Sequence, residues 1–132
     1  MKKIRIWYTD FWSDLKLMSK DNFFTKLLSE RYVVELDPDK PDLLFYSVFG
    51  KDNERWSGIK KVFYTGENRK SNNNYDLSFS FDYQEDTRHI RLPLYSYFCY
   101  EENSFEKLFF KRKTKGLNFC SFMVGNLNHG NG

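Results

Sequence analysis

The chain has 132 residues, 40% hydrophobic and 30% charged, with 21 basic residues against 18 acidic ones. That length carries one ordinary domain with one core, and an aromatic share of 20% excludes a disordered chain. A net charge of +3 is too mild for a dedicated nucleic-acid binder, and no apolar run is long enough for a membrane helix.

The first predicted strand runs from Ile4 to Asp10, with Ile4, Ile6 and Tyr8 on one face. The basic start before it is no signal peptide, because Arg5, Asp10 and Asp14 interrupt any hydrophobic stretch. After the polar-aromatic loop Phe11-Trp12-Ser13-Asp14 a helix is expected, capped near Asp21 and ending by Arg31. Phe23, Phe24, Leu27 and Leu28 give it an apolar stripe. Tyr32–Leu36 reads as a second strand and residues 37–42 as a turn. The third strand, Leu43–Phe49, is apolar on both faces, as in a covered parallel sheet. Residues 51–58 are a loop or a short helix, and Lys61–Thr65 is a fourth strand closing on Gly66-Glu67-Asn68. The alternation in Leu77–Tyr83 predicts a half-buried strand near an edge, with Ser and Asp on its polar face. A short sixth strand, His89–Leu92, precedes Pro93, and Ser104 caps a last predicted helix.

The expected organisation is a Rossmann-like α/β domain over residues 1–110, a basic linker over 111–117, and the start of a truncated second domain over 118–132. Cys99 and Cys120 make no disulfide framework, so a reducing, cytoplasmic setting is expected.

In an open α/β sheet, ligands sit beyond the carboxyl ends of the strands. Those ends deliver Thr9, Asp10, Phe11 and Trp12, then Phe49 and Gly50, then Tyr64, Thr65, Gly66, Glu67 and Asn68. Glu67 follows a glycine that lets the backbone turn sharply, and its carboxylate could take a proton from a hydroxyl. Phe11 and Trp12 could form an apolar platform for a sugar face. The same three residues, 66–68, also read as an ordinary polar turn, and spacing alone leaves both open. Asp37-Pro38-Asp39 spells a metal-nucleotide pattern, but its flanking prolines argue for a turn. No Gly-rich phosphate loop occurs, and no zinc-ligand spacing is present, so no metal site is expected. His89 lacks an identifiable catalytic partner, and Cys120 reads as a packed thiol. Lys111–Lys115 could touch phosphate or an anionic membrane surface, or be a solvated linker.

Several stretches occur together in one order: residues 6–12, 21–24, 44–50 and 63–68, then Phe81-Asp82-Tyr83, Arg91-Leu92-Pro93-Leu94 and Phe119-Cys120-Ser121-Phe122. Over about residues 4–126 the chain resembles the N-terminal half of bacterial α-1,3/α-1,4-fucosyltransferases, glycosyltransferase family 10. The resemblance implies the acceptor-side domain of a GT-B enzyme, with two Rossmann-like domains facing a cleft. It implies inverting, metal-independent transfer of fucose from GDP-fucose to a GlcNAc hydroxyl of a lactosamine-type glycan. Glu67 maps to the general base, with Asp10, Phe11, Trp12, Tyr64, Gly66 and Asn68 placing the acceptor. The family's donor-binding residues have no counterpart here, so this chain alone is expected to be inactive and to need a missing donor domain. Its uncovered interdomain surface could drive dimer formation, and full-length relatives of this kind associate peripherally with the inner membrane. The alternatives are a free-standing glycan-binding or scaffolding domain without catalysis, and a nucleic-acid module built on the basic linker and the aromatics.

Overall fold

Runs of β-branched and aromatic residues become strands where both faces of a sheet can be covered. The computed structural model describes residues 1–12, 20–69, 73–94 and 96, within a first unit Met1–Glu102. The expected elements from Ser104 onward, including the basic linker and the apolar run after it, lie outside the described residues.

Six strands form one sheet: β1 (Lys2–Thr9), β2 (Tyr32–Leu36), β3 (Leu43–Tyr46), β4 (Lys60–Tyr64), β5 (Leu77–Ser80) and β6 (His89–Arg91). Their order is β2-β1-β3-β4-β5-β6, and all five pairings are parallel. This is the doubly wound order in which the connections reverse direction between β1 and β3. The fold class expected from the sequence is therefore the one observed. Among the described residues its helical part is one α-helix, α1 (Phe23–Ser29), and one 3-10 turn, Asp52–Arg55.

The two faces of the sheet differ in kind. Ile6 and Tyr8 of β1, Phe45 of β3, and Val62 and Tyr64 of β4 close on Phe24 of α1 to form the main core. Phe24 packs against Phe45 with ring centres 5.1 Å apart and meets Tyr64 edge-on at 5.3 Å. Burying an aromatic side chain of this size stabilises by about 1.5–3 kcal/mol. The opposite face carries Leu44, Tyr46 and Phe63, but also Lys61, Ser78 and Ser80, all buried.

Helix α1 is pinned by polar atoms as well as apolar ones. Asn22 Oδ1 accepts the Thr25 N–H at 2.9 Å and the Tyr8 hydroxyl at 3.1 Å, and Tyr8 also reaches Thr25 Oγ1 at 2.8 Å. The cap is thus Asn22, one residue after the expected Asp21, which instead pairs with Lys26 at 3.1 Å. The six-residue connection 37–42 is clamped by Arg5, whose backbone N–H, Nε and Nη2 all donate to the Asp42 carboxylate. Arg5 holds Asp42 down to about 2, mainly through the side-chain hydrogen bond.

Two further expectations are corrected. The strands β3 and β5 stop at Tyr46 and Ser80, several residues before the sequence pattern ends. The alternation of β5 is real, yet its serine face is the buried one: Ser78 and Ser80 are 2% and 3% exposed. Small hydroxyls fit there because Ser78 Oγ bonds His89 Nδ1 at 2.8 Å and Ser80 Oγ accepts the Asp82 N–H at 3.2 Å.

Candidate functional site

The carboxyl ends of β1, β3 and β4 lie side by side at the point where the connections reverse. Asp10 ends β1 in the left-handed region, at φ 58°, a conformation that aspartate tolerates better than most residues. Its carboxylate faces the protein. Oδ1 accepts the Asp52 N–H at 2.9 Å, and Oδ2 accepts the Asn53 N–H at 2.9 Å and Asn53 Nδ2 at 2.7 Å. Its carbonyl accepts the Phe49 N–H at 3.0 Å. Asp10 therefore satisfies the free amides at the start of the 3-10 turn, so it places the β3–β4 connection. Gly50 is required here, because a Cβ at that position would collide with the Asp10 carboxylate. Asn53 continues the network, its carbonyl accepting a hydrogen bond from Nζ of the buried Lys61 at 2.8 Å.

The turn at Asp10 separates two neighbouring aromatics. Phe11 packs inward, edge-on to Tyr8 at 5.9 Å and stacked on Tyr64 at 6.4 Å. Trp12 points out, 61% exposed, and lies 5.4 Å from the half-exposed ring of Phe49. The Arg69 guanidinium covers the Phe49 ring at 5.9 Å. Trp12, Phe49 and Arg69, from three strand ends, make one exposed platform, the kind of surface on which a sugar face stacks. The structure pairs Trp12 with Phe49 rather than with Phe11, which is partly buried against the core. Tyr64 is likewise in the core, 4% exposed, with its ring between Phe11 and Phe24.

Glu67 follows β4 on a turn built by Thr65, whose Oγ1 accepts the Glu67 N–H at 3.0 Å. The Glu67 carbonyl accepts the Arg69 N–H at 2.8 Å, which folds Arg69 back. The side chains of Glu67 and Asn68 are both exposed, and neither bonds to a described residue. Gly66 makes room for Leu94, whose Cδ1 would lie 2.9 Å from a Cβ there.

Of the seven residues the sequence singled out, the structure brings Trp12, Gly66, Glu67 and Asn68 to the exposed carboxyl end. It turns Asp10, Phe11 and Tyr64 inward. Asp37 builds its turn, accepting the N–H groups of Asp39 and Lys40 at 2.9 and 3.0 Å. Among the described residues no group of three or more His, Cys, Asp or Glu could hold a metal ion. Phe49 and Arg69 are the residues that sequence reading left out of the site. The signal for Phe49 was its place at a strand end, and Arg69 had none, being 20 positions from the ring it covers.

Comparison with known proteins gives a consistent result. The family model described as the alpha-(1,3)-fucosyltransferase FucT N-terminal domain matches residues 6–98. The alpha-(1,3)-fucosyltransferase FucT of Helicobacter pylori is 32% identical over 100 residues, 70% of this chain and 21% of that protein. A crystal structure of an alpha1,3-fucosyltransferase superposes with a TM-score of 0.59 at 32% identity, over 73% of this chain and 30% of the other. A second, of an alpha1,3-fucosyltransferase with GDP-fucose, gives 0.55 at 29% identity, over 80% of this chain and 29% of the other. The chain thus spans about a fifth of the curated relative and under a third of each solved one.

Proposed function

The chain belongs to the alpha-(1,3)-fucosyltransferase FucT N-terminal domain family, and from this membership we propose that it forms the acceptor side of an inverting fucosyltransferase. The observation that carries the reading is the exposed Glu67 carboxylate at the strand ends that also present the Trp12–Phe49–Arg69 platform. In this reading a glycan of the lactosamine type stacks on the platform with one hydroxyl toward Glu67. The hydroxyl oxygen attacks the anomeric carbon of the fucosyl group of GDP-fucose. The bond from that carbon to the phosphate oxygen breaks, GDP leaves with the electron pair, and the hydroxyl proton passes to Glu67. Asn68, beside the carboxylate, orients the acceptor. We assign the described residues to the acceptor and none of them to the nucleotide. One solved relative is a fucosyltransferase with GDP-fucose, the donor that this chemistry needs.

The test is a two-dimensional amide NMR titration of the chain with N-acetyllactosamine. The expected result is a set of shifts confined to Trp12, Phe49 and residues 66–69. A spectrum unchanged up to high saccharide concentration overturns the assignment of this edge to the acceptor.

A further inference from the structure

Beyond Arg69, on the sheet face away from α1, lies a cavity of about 540 Å³ that the acceptor reading does not use. That volume is within the range of small-molecule sites. Phe63 and Tyr75, both nearly buried, supply its apolar wall. Arg69, Asn73, Ser78, Ser80, Asp82, Gln84 and His89 supply its polar groups.

The polar groups divide into committed and uncommitted ones. Ser78 and His89 are committed: His89 Nε2 meets the Asp82 carbonyl at 3.1 Å, and a carbonyl can only accept, so that nitrogen carries a proton. His89 Nδ1 is taken by Ser78. By contrast, the Asp82 carboxylate and the Gln84 amide bond to no described residue, and among the described residues the Arg69 guanidinium meets only the Phe49 ring. Ser80 Oγ already accepts the Asp82 N–H, so its hydroxyl proton is left to donate. With Asn73 engaged elsewhere, the cavity therefore offers one anionic acceptor, one cationic donor, the Gln84 amide and one hydroxyl beside an apolar wall. Opposite charges facing the same space disfavour a phosphate or a carboxylate ligand. They suit a neutral ring bearing several hydroxyls, each able to donate to Asp82 and accept from Arg69 or Gln84, with its C–H face on the aromatic wall.

We propose that this cavity is a second sugar subsite, holding a neutral hexose or N-acetylhexosamine ring of the acceptor glycan more distant than the one that faces Glu67. The proposal rests on the acceptor reading above. Arg69 joins the two subsites, because it covers Phe49 on the platform and also lines the cavity. The subsite selects for glycan length, favouring an oligosaccharide over a disaccharide.

The experiment compares the affinity of the chain for N-acetyllactosamine with that for the linear tetrasaccharide of two such units, by titration calorimetry. Wild type, Asp82→Asn and Gln84→Ala are measured, with circular dichroism confirming the fold of each. The tetrasaccharide binds about tenfold more tightly to wild type, and this ratio falls below about twofold in Asp82→Asn. Should Asp82→Asn lose its fold, Gln84→Ala carries the test, since its side chain holds no described residue. Equal affinities for both saccharides, with the disaccharide still shifting Trp12 and Phe49, overturn the second subsite and leave the acceptor reading standing. Binding of neither saccharide overturns both.

Discussion

The carboxyl ends of β1 and β4 each present an acidic residue, and they use it in opposite ways. At the end of β1 the Asp10 carboxylate is drawn inward and accepts three hydrogen bonds from Asp52 and Asn53. At the end of β4 the turn is made by Thr65, so the Glu67 carboxylate is left exposed and uncommitted. The first acid builds a rigid corner that aims Trp12 and Phe49. The second is what a reacting hydroxyl would meet. A site of this kind needs both, because an acceptor held within a fraction of an ångström requires a support that does not itself move.

The strongest way to break this contrast is Glu67→Gln. On the acceptor-side reading it lowers the rate of fucosyl transfer by about 10²–10⁴-fold, the range for loss of a general base. The urea midpoint of the chain stays where it was. Unaltered transfer by this variant, with glycan binding intact, would favour the binding-module alternative. Asp10→Ala does the reverse: unfolding in urea shows a loss of about 2 kcal/mol, from a charged acceptor removed from three partly buried donors. Asn22→Ala extends the test to the helix pinned on β1 and costs about 2 kcal/mol, as a lost cap combined with a lost partner for Tyr8. The same substitution at Asp21 costs under about 0.5 kcal/mol, because its ion pair with Lys26 is solvated. Trp12→Ala, at the exposed edge, weakens disaccharide binding about fivefold in the NMR titration, near the worth of one stacking contact, with stability unchanged.

A further effect is electrostatic and lies away from both ends. Arg5 beside Asp42 and Arg88 beside Asp86, chiefly by side-chain hydrogen bonds, hold these two carboxyls down to about 2. Depressed carboxyls contribute stability that is complete above the unfolded value of 3.8 and is lost as pH falls toward 2. Urea midpoints are therefore flat above about pH 5 and decline below about pH 4, and Asp86→Asn makes that decline shallower. A decline already present at about pH 6 would point to another group.

Most of the sheet was legible in the sequence because its strands are continuous β-branched and aromatic runs, whose pattern needs no tertiary information. That Glu67 lies on a turn just past a strand was legible too, since a strand end followed by Gly and a polar run is a local signal. What was not legible depended on partners distant in the chain. Asp21 and Asn22 are both good caps, and only the reach of Asn22 to Tyr8 decides between them. Which of Phe11 and Trp12 turns inward is set by the left-handed turn at Asp10, itself held by amides more than 40 residues away. Ser78 and Ser80 carry the signature of a solvated face, and it is hydrogen bonding to His89 and Asp82 that offsets the cost of their burial.

The strand order has a consequence for how the molecule is made. Once β1 and β2 have paired, each later strand joins beside the one already in place, from β3 on β1 outward to β6 on β5. From β3 onward the open edge is the strand just made, so the sheet can assemble vectorially as the nascent chain emerges. No strand needs to be inserted between two already joined, provided one side of β1 stays vacant until β3 arrives. The corner at Asp10 needs Asp52 and Asn53, so it can close once β3 and the turn after it have been translated, before β4, β5 and β6 exist.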